Sequence, residues 1–276
     1  MQIVAAAAGQ SSSLSPDARE SIRIAAVSKA YHESSGGSVL ALDNINLGIP
    51  ANSFVSLLGP SGSGKSTLLK LVAGIERPSS GAIHCHGQAL DGINTEVAYV
   101  PQGRGLFPWM TLLGNIEFPL KIAGVAAAER RRRALEWIER VKLGGFEHKY
   151  PRQLSGGMEK RGSLARALIT GKPILLMDEP FGPLDAQTRL SLQQQLTKLW
   201  EDVKNTVVFV THDVIEAIAL SDLVVVLSAR PGRILDTVPI LLPRPRNVLS
   251  VPDCDGFADV HARLQGLLFQ EQSMFR

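Results

Sequence analysis

The sequence predicts an α/β fold in which a parallel sheet carries the functional loops at one edge. Three observations predict it. The runs Phe54 to Leu58, Ile174 to Met177, Thr206 to Val210 and Leu223 to Leu227 are apolar almost throughout, as strands buried on both faces of a parallel sheet are. Segments of helical character separate the later runs, as crossovers between parallel strands require. A chain of 276 residues that is 45% hydrophobic can bury a full core as one domain with a subdomain.

The elements follow in order. Residues Met1 to about Glu20 are rich in Ala and Ser, and no basic residue precedes the short stretch Ile3 to Ala8. A flexible tail over 1–21 is therefore expected rather than a secretion signal. From Ile22 to about Tyr99, alternating stretches such as Ile22-Ile24-Ala26 and Val39-Ala41, then Gly81-Ala82-Ile83-His84, read as strands. From about Leu106 to Pro151 the pattern turns helical. Ala134, Trp137, Ile138 and Val141 share one face of a helix whose other face carries Arg130 to Arg133. After Pro243, the turn-rich Pro243-Arg244-Pro245-Arg246 leads to a short amphipathic helix near Phe257 to Phe269. The chain thus divides into a main domain over 22–242, with a helical part at about 105–170, and a C-terminal appendage over 243–276.

Residues Gly59-Pro60-Ser61-Gly62-Ser63-Gly64-Lys65-Ser66-Thr67 fill the pattern G-x-x-x-x-G-K-[ST] between an expected strand and an expected helix. Glycines let the backbone curl until successive N–H groups point at phosphate oxygens, and the helix N-terminus adds positive potential. Lys65 would then reach the β- and γ-phosphates and the Ser66 hydroxyl would ligate Mg²⁺. An ordinary glycine-rich turn is the plain alternative, but the pattern arises by chance in roughly one chain of this length in a hundred. The flanking strand and helix make chance rarer still.

Pro173-Ile174-Leu175-Leu176-Met177-Asp178-Glu179-Pro180 is a hydrophobic strand ending in two carboxylates, at the edge where open α/β sheets bind ligands. Asp178 is placed to hold Mg²⁺ through water, and Glu179 to orient or deprotonate an attacking water. Asp-Glu-Pro is also a common way to leave a strand. Behind a P-loop it becomes the expected second half of a nucleotide site.

Leu154-Ser155-Gly156-Gly157-Met158 opens a further helix running to about Leu168. Ser155 is suited to cap it, and Gly156-Gly157 let a phosphate approach the backbone. With these segments in this order, the chain resembles the ATP-binding-cassette (ABC) ATPases over about Ile22 to Ile240. The resemblance implies a P-loop NTPase (RecA-like) core with an antiparallel β-subdomain and an α-helical subdomain. It also assigns roles. Tyr31 matches the aromatic that stacks on adenine, Gln102 the glutamine that contacts Mg²⁺ and the lytic water, Asp185 the loop that signals across the dimer, and His212 the switch histidine on the γ-phosphate. Two chains would sandwich two ATP, with Ser155, Gly156 and Gly157 of one completing the site built on Lys65 of the other.

The sequence departs from the family pattern in places, none of which removes a catalytic group. Met158 stands for the hallmark Gln, Glu159-Lys160 for a Gln or Arg, Pro183 for an Ala and Asn52-Ser53 for a Gly-Glu turn. Gly103 follows Gln102 where a larger polar residue is frequent, and Gly162 costs its helix about 1 kcal/mol relative to Ala.

Other features read plainly. His84 and His86 would share one face of a strand while Cys85 points away, which makes a poor metal site. Glu129, Glu136 and Glu139 lie within helical reach of Arg130 to Arg133, as on a solvated face. Two cysteines make no disulfide framework and fit a reducing cytoplasm. A net charge of +3 is too small for a nucleic-acid footprint, and no run reaches the roughly 20 apolar residues of a membrane span.

Phe107, Trp109 and Met110 are either core residues or the lining of an exposed groove. In importers of the family, the membrane subunit's coupling helix docks at this place. The wording Phe107-Pro108-Trp109-Met110-Thr111, with Pro243-Arg244-Pro245-Arg246, is similar to the nitrate/sulfonate/taurine branch of bacterial importers. The resemblance therefore implies an ATP-hydrolysing subunit of a bacterial importer. It would lie peripherally on the cytoplasmic face of the inner (plasma) membrane, with separate permease subunits fed by a periplasmic or lipid-anchored solute-binding protein. Three rival readings weigh less. A cassette acting on DNA or ribosomes calls for a coiled-coil insertion or a second cassette, an exporter half for a fused membrane domain, and a non-hydrolytic module for loss of the carboxylate that Glu179 supplies.

Overall fold

The computed structural model describes residues 20–32, 37–103, 105–182 and 184–273, without the side chains of 271–273. The expected tail, apart from its last residues, and Pro183 lie outside the described residues. Two long strands, β1 (Glu20–His32) and β2 (Ser38–Pro50), pair antiparallel. With β4 (Ser80–Cys85) and β5 (Gln88–Ala89) they make a four-stranded antiparallel sheet in the order β2-β1-β4-β5. The strand expected over His84 and His86 stops at Cys85. His86 follows with φ 48°, a left-handed turn conformation, so the two histidines do not share a strand face.

The second sheet has the order β10-β9-β3-β8-β7-β6, from β3 (Phe54–Leu58), β6 (Val97–Val100), β7 (Ile174–Asp178), β8 (Thr206–Thr211), β9 (Leu223–Leu227) and β10 (Ile234–Pro239). All of it is parallel except the edge strand β10. Its side chains alternate with the two-residue period of a pleated sheet. Phe54, Leu58, Leu175, Met177, Val207, Phe209, Val224 and Val226 enter one core. Val55, Leu57, Ile174, Leu176, Val208, Val210, Val225 and Leu227 enter the other. Uniformly apolar strands are what two covered faces require.

The second core lies between this sheet, the antiparallel strands and α1 (Lys65–Val72). The first is covered by α2 (Leu112–Ile122), α3 (Ala127–Arg140), α4 (Gly156–Leu168), α5 (Ala186–Val203), α6 (Val214–Leu220) and α7 (Phe257–Ser273). Phe54 sits in it between Trp200 and Phe209, each ring centroid 5.8 Å away. Gly162 is required where α4 crosses α2. A Cβ there would come 2.7 Å from Leu112 and 3.1 Å from Leu106, so close helix packing offsets the low helix propensity.

The stretch after Ile240 is bonded into the same body. Arg246 is buried and donates to the carbonyl oxygens of Ile218, Ser221, Ile240 and Leu242, and burial draws its guanidinium down to about 10. Arg244 lies over the Trp200 ring and donates to Asp222 at 2.7 Å. Val248, Val251, Phe257 and Leu264 complete the apolar packing.

Register levels the functional edge. Leu58 pairs with Thr211, and Asp178 with Val210. The chain therefore leaves β3, β7 and β8 at one height, and three loops from distant parts of the sequence meet there.

Candidate functional site

The loop after β3 curls as its glycines allow. Gly62 and Gly64 both take φ 82°, open to glycine and strained for other residues. At Gly59 a Cβ would come 2.7 Å from the Leu227 carbonyl. The Lys65 ammonium is buried and donates to Gly59 O at 2.8 Å, Pro60 O at 2.7 Å and Ser63 Oγ at 3.2 Å. Burial lowers its pKa, while Glu179 and Asp178 oppose that fall.

Ser66, at the start of α1, donates to Asp178 Oδ1 at 2.8 Å across the sheet edge. Tyr99 donates to the other oxygen, Oδ2, at 3.3 Å. Burial and the facing Asp178 carboxylate push the Tyr99 phenol above its ordinary range, so it stays a donor. Glu179, just past β7, has φ 40°. That conformation costs a non-glycine residue on the order of 1–3 kcal/mol and is a frequent mark of functional loops. Its carboxylate accepts from Gln102 Nε2 at 3.0 Å through Oε2, and His212 Nδ1 lies 3.6 Å from Oε1. Gln102, Glu179 and His212 thus come together, with Ser66 and Asp178 beside them.

Tyr31 stands at the outer wall of the P-loop pocket, which Ser61 to Thr67, Gln102 and Glu179 also line. Its hydroxyl donates to Glu76 at 2.6 Å, and the Lys29 ammonium lies 5.0 Å from its ring centroid. Arg230 lines the same pocket and was not anticipated. Sequence position hides it, because the loop holding it follows β9. That loop is pressed on the P-loop at Gly232, where a Cβ would meet the Ser63 carbonyl at 2.1 Å.

Ser155 caps α4, accepting from Met158 N at 3.3 Å. Gly157 packs on Thr188, whose Cγ2 a Cβ would approach to 2.6 Å. Gly156 lines a second cleft with Gln102, Lys160, Glu179 and His212, but no P-loop residue reaches that cleft. The structure therefore does not bring Ser155 to Lys65 within one chain. Asp185 caps α5, accepting from Thr188 N at 3.0 Å, and hydrogen bonding from the Thr188 backbone and side chain holds its carboxyl below its usual range.

The sequence profile of the ABC transporter family matches residues 42–182, its P-loop and its Asp178-Glu179 pair included. The chain belongs to the ABC transporter family. The aliphatic sulfonates import ATP-binding protein SsuB of Bacillus cereus is 42% identical over 226 residues, which cover 82% of this chain and 88% of that protein. The nitrate import ATP-binding protein NrtD of a Synechocystis species is 46% identical over 207 residues, covering 75% and 78%. A dimeric, post-hydrolysis structure of the ATP-binding cassette MJ0796 with ADP and Pi matches with a TM-score of 0.71 at 33% identity. It covers 79% of this chain and 98% of that one.

In this ABC ATPase the donor set fits the ligands the family implies. A curled backbone with a buried ammonium at its centre suits phosphate oxygens. The Ser66 hydroxyl and Asp178 carboxylate, already 2.8 Å apart, are the hard oxygen donors that Mg²⁺ takes beside phosphate.

Proposed function

We propose that this chain is the ATP-hydrolysing subunit of an importer for a small oxyanionic solute of the nitrate or sulfonate kind, working as a homodimer on separate permease subunits. The names of its relatives support the importer and the solute class. One observation carries the chemistry: Gln102, Glu179 and His212 converge at the mouth of a P-loop whose Ser66 is bonded to Asp178.

The residues divide the work. Backbone N–H groups of the loop from Gly59 to Thr67, Pro60 excepted, and the Lys65 ammonium bind the phosphates, and Tyr31 offers its ring to adenine. Ser66 and Asp178 would hold Mg²⁺ with help from Gln102; when bound, the ion offsets charge on the phosphates. Glu179 accepts a proton from the attacking water, which the Gln102 amide orients. His212, on the other carboxylate oxygen, is positioned toward the γ-phosphate. Ser155, Gly156 and Gly157 of a second chain would close the site, and Asp185 would carry the signal between chains. The permease subunits would dock near Phe107 to Met110, with a solute-binding protein acting on their far side. This places the chain peripherally at the cytoplasmic face of the membrane.

The test is Glu179→Gln, which keeps the shape and the Gln102 contact but cannot take a proton. ATP binding should persist, an ATP-bound dimer should accumulate, and hydrolysis should fall by about 10²–10⁴. Turnover at the native rate would reject Glu179 as the base.

A further inference from the structure

We propose that Lys160 is a positioning residue for ATP hydrolysis, holding the Gln102 segment to α4 so that the Gln102 amide stays aimed at Glu179. The inference rests on the reading of Glu179 as the base and extends it to a residue where this chain departs from its family.

Lys160 lies in the second turn of α4 and is 8% exposed. A buried ammonium is costly unless its donors are matched. Lys160 Nζ donates to Gln102 O and to Gly103 O, both at 2.9 Å. Gln102 in turn donates through Nε2 to Glu179 Oε2 at 3.0 Å. One chain of hydrogen bonds therefore runs from α4 through the Gln102 backbone and side chain to the carboxylate. Gln102 and Gly103 are themselves exposed, and the Lys160 ammonium is the donor that their two carbonyls meet.

The same stripe of α4 grips the residues that follow. Gly105 is so close to Ser163 that a Cβ would meet its Oγ at 1.9 Å. Arg166 lies over the Phe107 ring, 4.7 Å from its centroid, and donates to Asn115 Oδ1 at 3.3 Å. Asn115 clasps Phe107 at both backbone groups, accepting from N at 2.6 Å and donating to O at 3.1 Å. Positions 160, 163 and 166 are three apart and share a helix face. Two of these ties hold residues 105 to 107, and Lys160 is the one that reaches Gln102. A neutral side chain of similar length would leave both carbonyls without that donor and free the Gln102 backbone, while the rest of the stripe remained.

Burial lowers the Lys160 pKa, and the Glu159 and Asp178 carboxylates oppose that fall. The fixed charge also lies in the cleft lined by Glu179 and His212.

The experiment compares the full chain with Lys160→Met, Lys160→Arg and Glu179→Gln, measuring equilibrium ATP affinity, KM, kcat and Tm. Lys160→Met should lower kcat about 10- to 100-fold, the scale of a misplaced reacting group, with ATP affinity, KM and Tm close to native. Lys160→Arg, which can donate to both carbonyls, should recover most of the loss. Native kcat in Lys160→Met, or a fall that tracks Tm and is shared equally by Lys160→Arg, would overturn the proposal. If Lys160→Met does not fold, Lys160→Leu, which likewise has no donor, serves by the same criteria. Native turnover in Glu179→Gln would reject the base reading itself, a different failure from native turnover in the Lys160 variants.

Discussion

Lys65 does two jobs with one ammonium. In this structure it closes the loop on itself through Gly59 O, Pro60 O and Ser63 Oγ. The same three donors are those that phosphate oxygens would compete for. Lys65→Ala should therefore raise the Kd for ATP by about tenfold or more, since a charge-assisted hydrogen bond contributes about 1.5–3 kcal/mol. Equilibrium binding of a fluorescent ATP analogue checks this, and unaltered affinity would count against the P-loop as the phosphate site. At this scale the motif residues were legible in the sequence, because each needs a fixed chemistry at a fixed spacing. Lys160 was not. Next to Glu159 and Arg161 it looks like one more charge on a helix, and only tertiary packing turns it inward to Gln102. Arg230 was hidden for the same reason, its loop reaching the P-loop through the fold rather than along the chain.

Elements differed in legibility according to how simply they are buried. The strands β3, β7, β8 and β9 are covered on both faces, so their apolar runs mark them within a residue or so. β1 and β2 are 13 residues each, but shifts in register break their alternation, and Ala26 at φ 49° interrupts β1. Short alternating fragments were all the sequence could show there. The segment before α2 was open between core and groove, and its geometry separates the two. Trp109 is 70% exposed and stacks on Phe107 with ring centroids 5.3 Å apart. Phe107 is anchored beneath it by Phe118 and Arg166. A buried Trp truncated to Ala costs about 3–5 kcal/mol, but a residue this exposed should cost under about 1 kcal/mol. Trp109→Ala should therefore leave Tm and the basal ATP hydrolysis of the isolated subunit near native. As a docking anchor it should weaken assembly with the permease by about 2 kcal/mol, read by co-purification from membranes. Native assembly in a well-folded Trp109→Ala chain would move the docking surface elsewhere.

At the scale of the whole molecule, the parallel sheet collects one set of groups at its C-terminal edge, and α4 holds another set away from it. Ser155 and Gly156 are exposed at the N-terminus of α4, where unpaired N–H groups and the helix dipole favour an anion. Within one chain they share no pocket with Lys65. If both sets act on one triphosphate, a second chain must bring them together, and symmetry then makes two composite sites. Mixing distinguishes this from a site complete in one chain. A Ser155→Arg chain keeps its P-loop, and a Lys65→Ala chain keeps its α4 terminus. In their heterodimer both lesions fall in one composite site and the other is assembled wholly from native parts. Each variant alone should be inactive, and the mixture should regain hydrolysis in proportion to the heterodimer formed, measured with differently tagged chains purified in tandem. Inactive heterodimers, once their formation is demonstrated, would show either that the sites are not shared or that both must fire together. Purifying a heterodimer of the Lys65→Ala chain with a native chain separates those two: it retains one native composite site, so activity there leaves sharing at fault, and inactivity leaves obligatory joint firing.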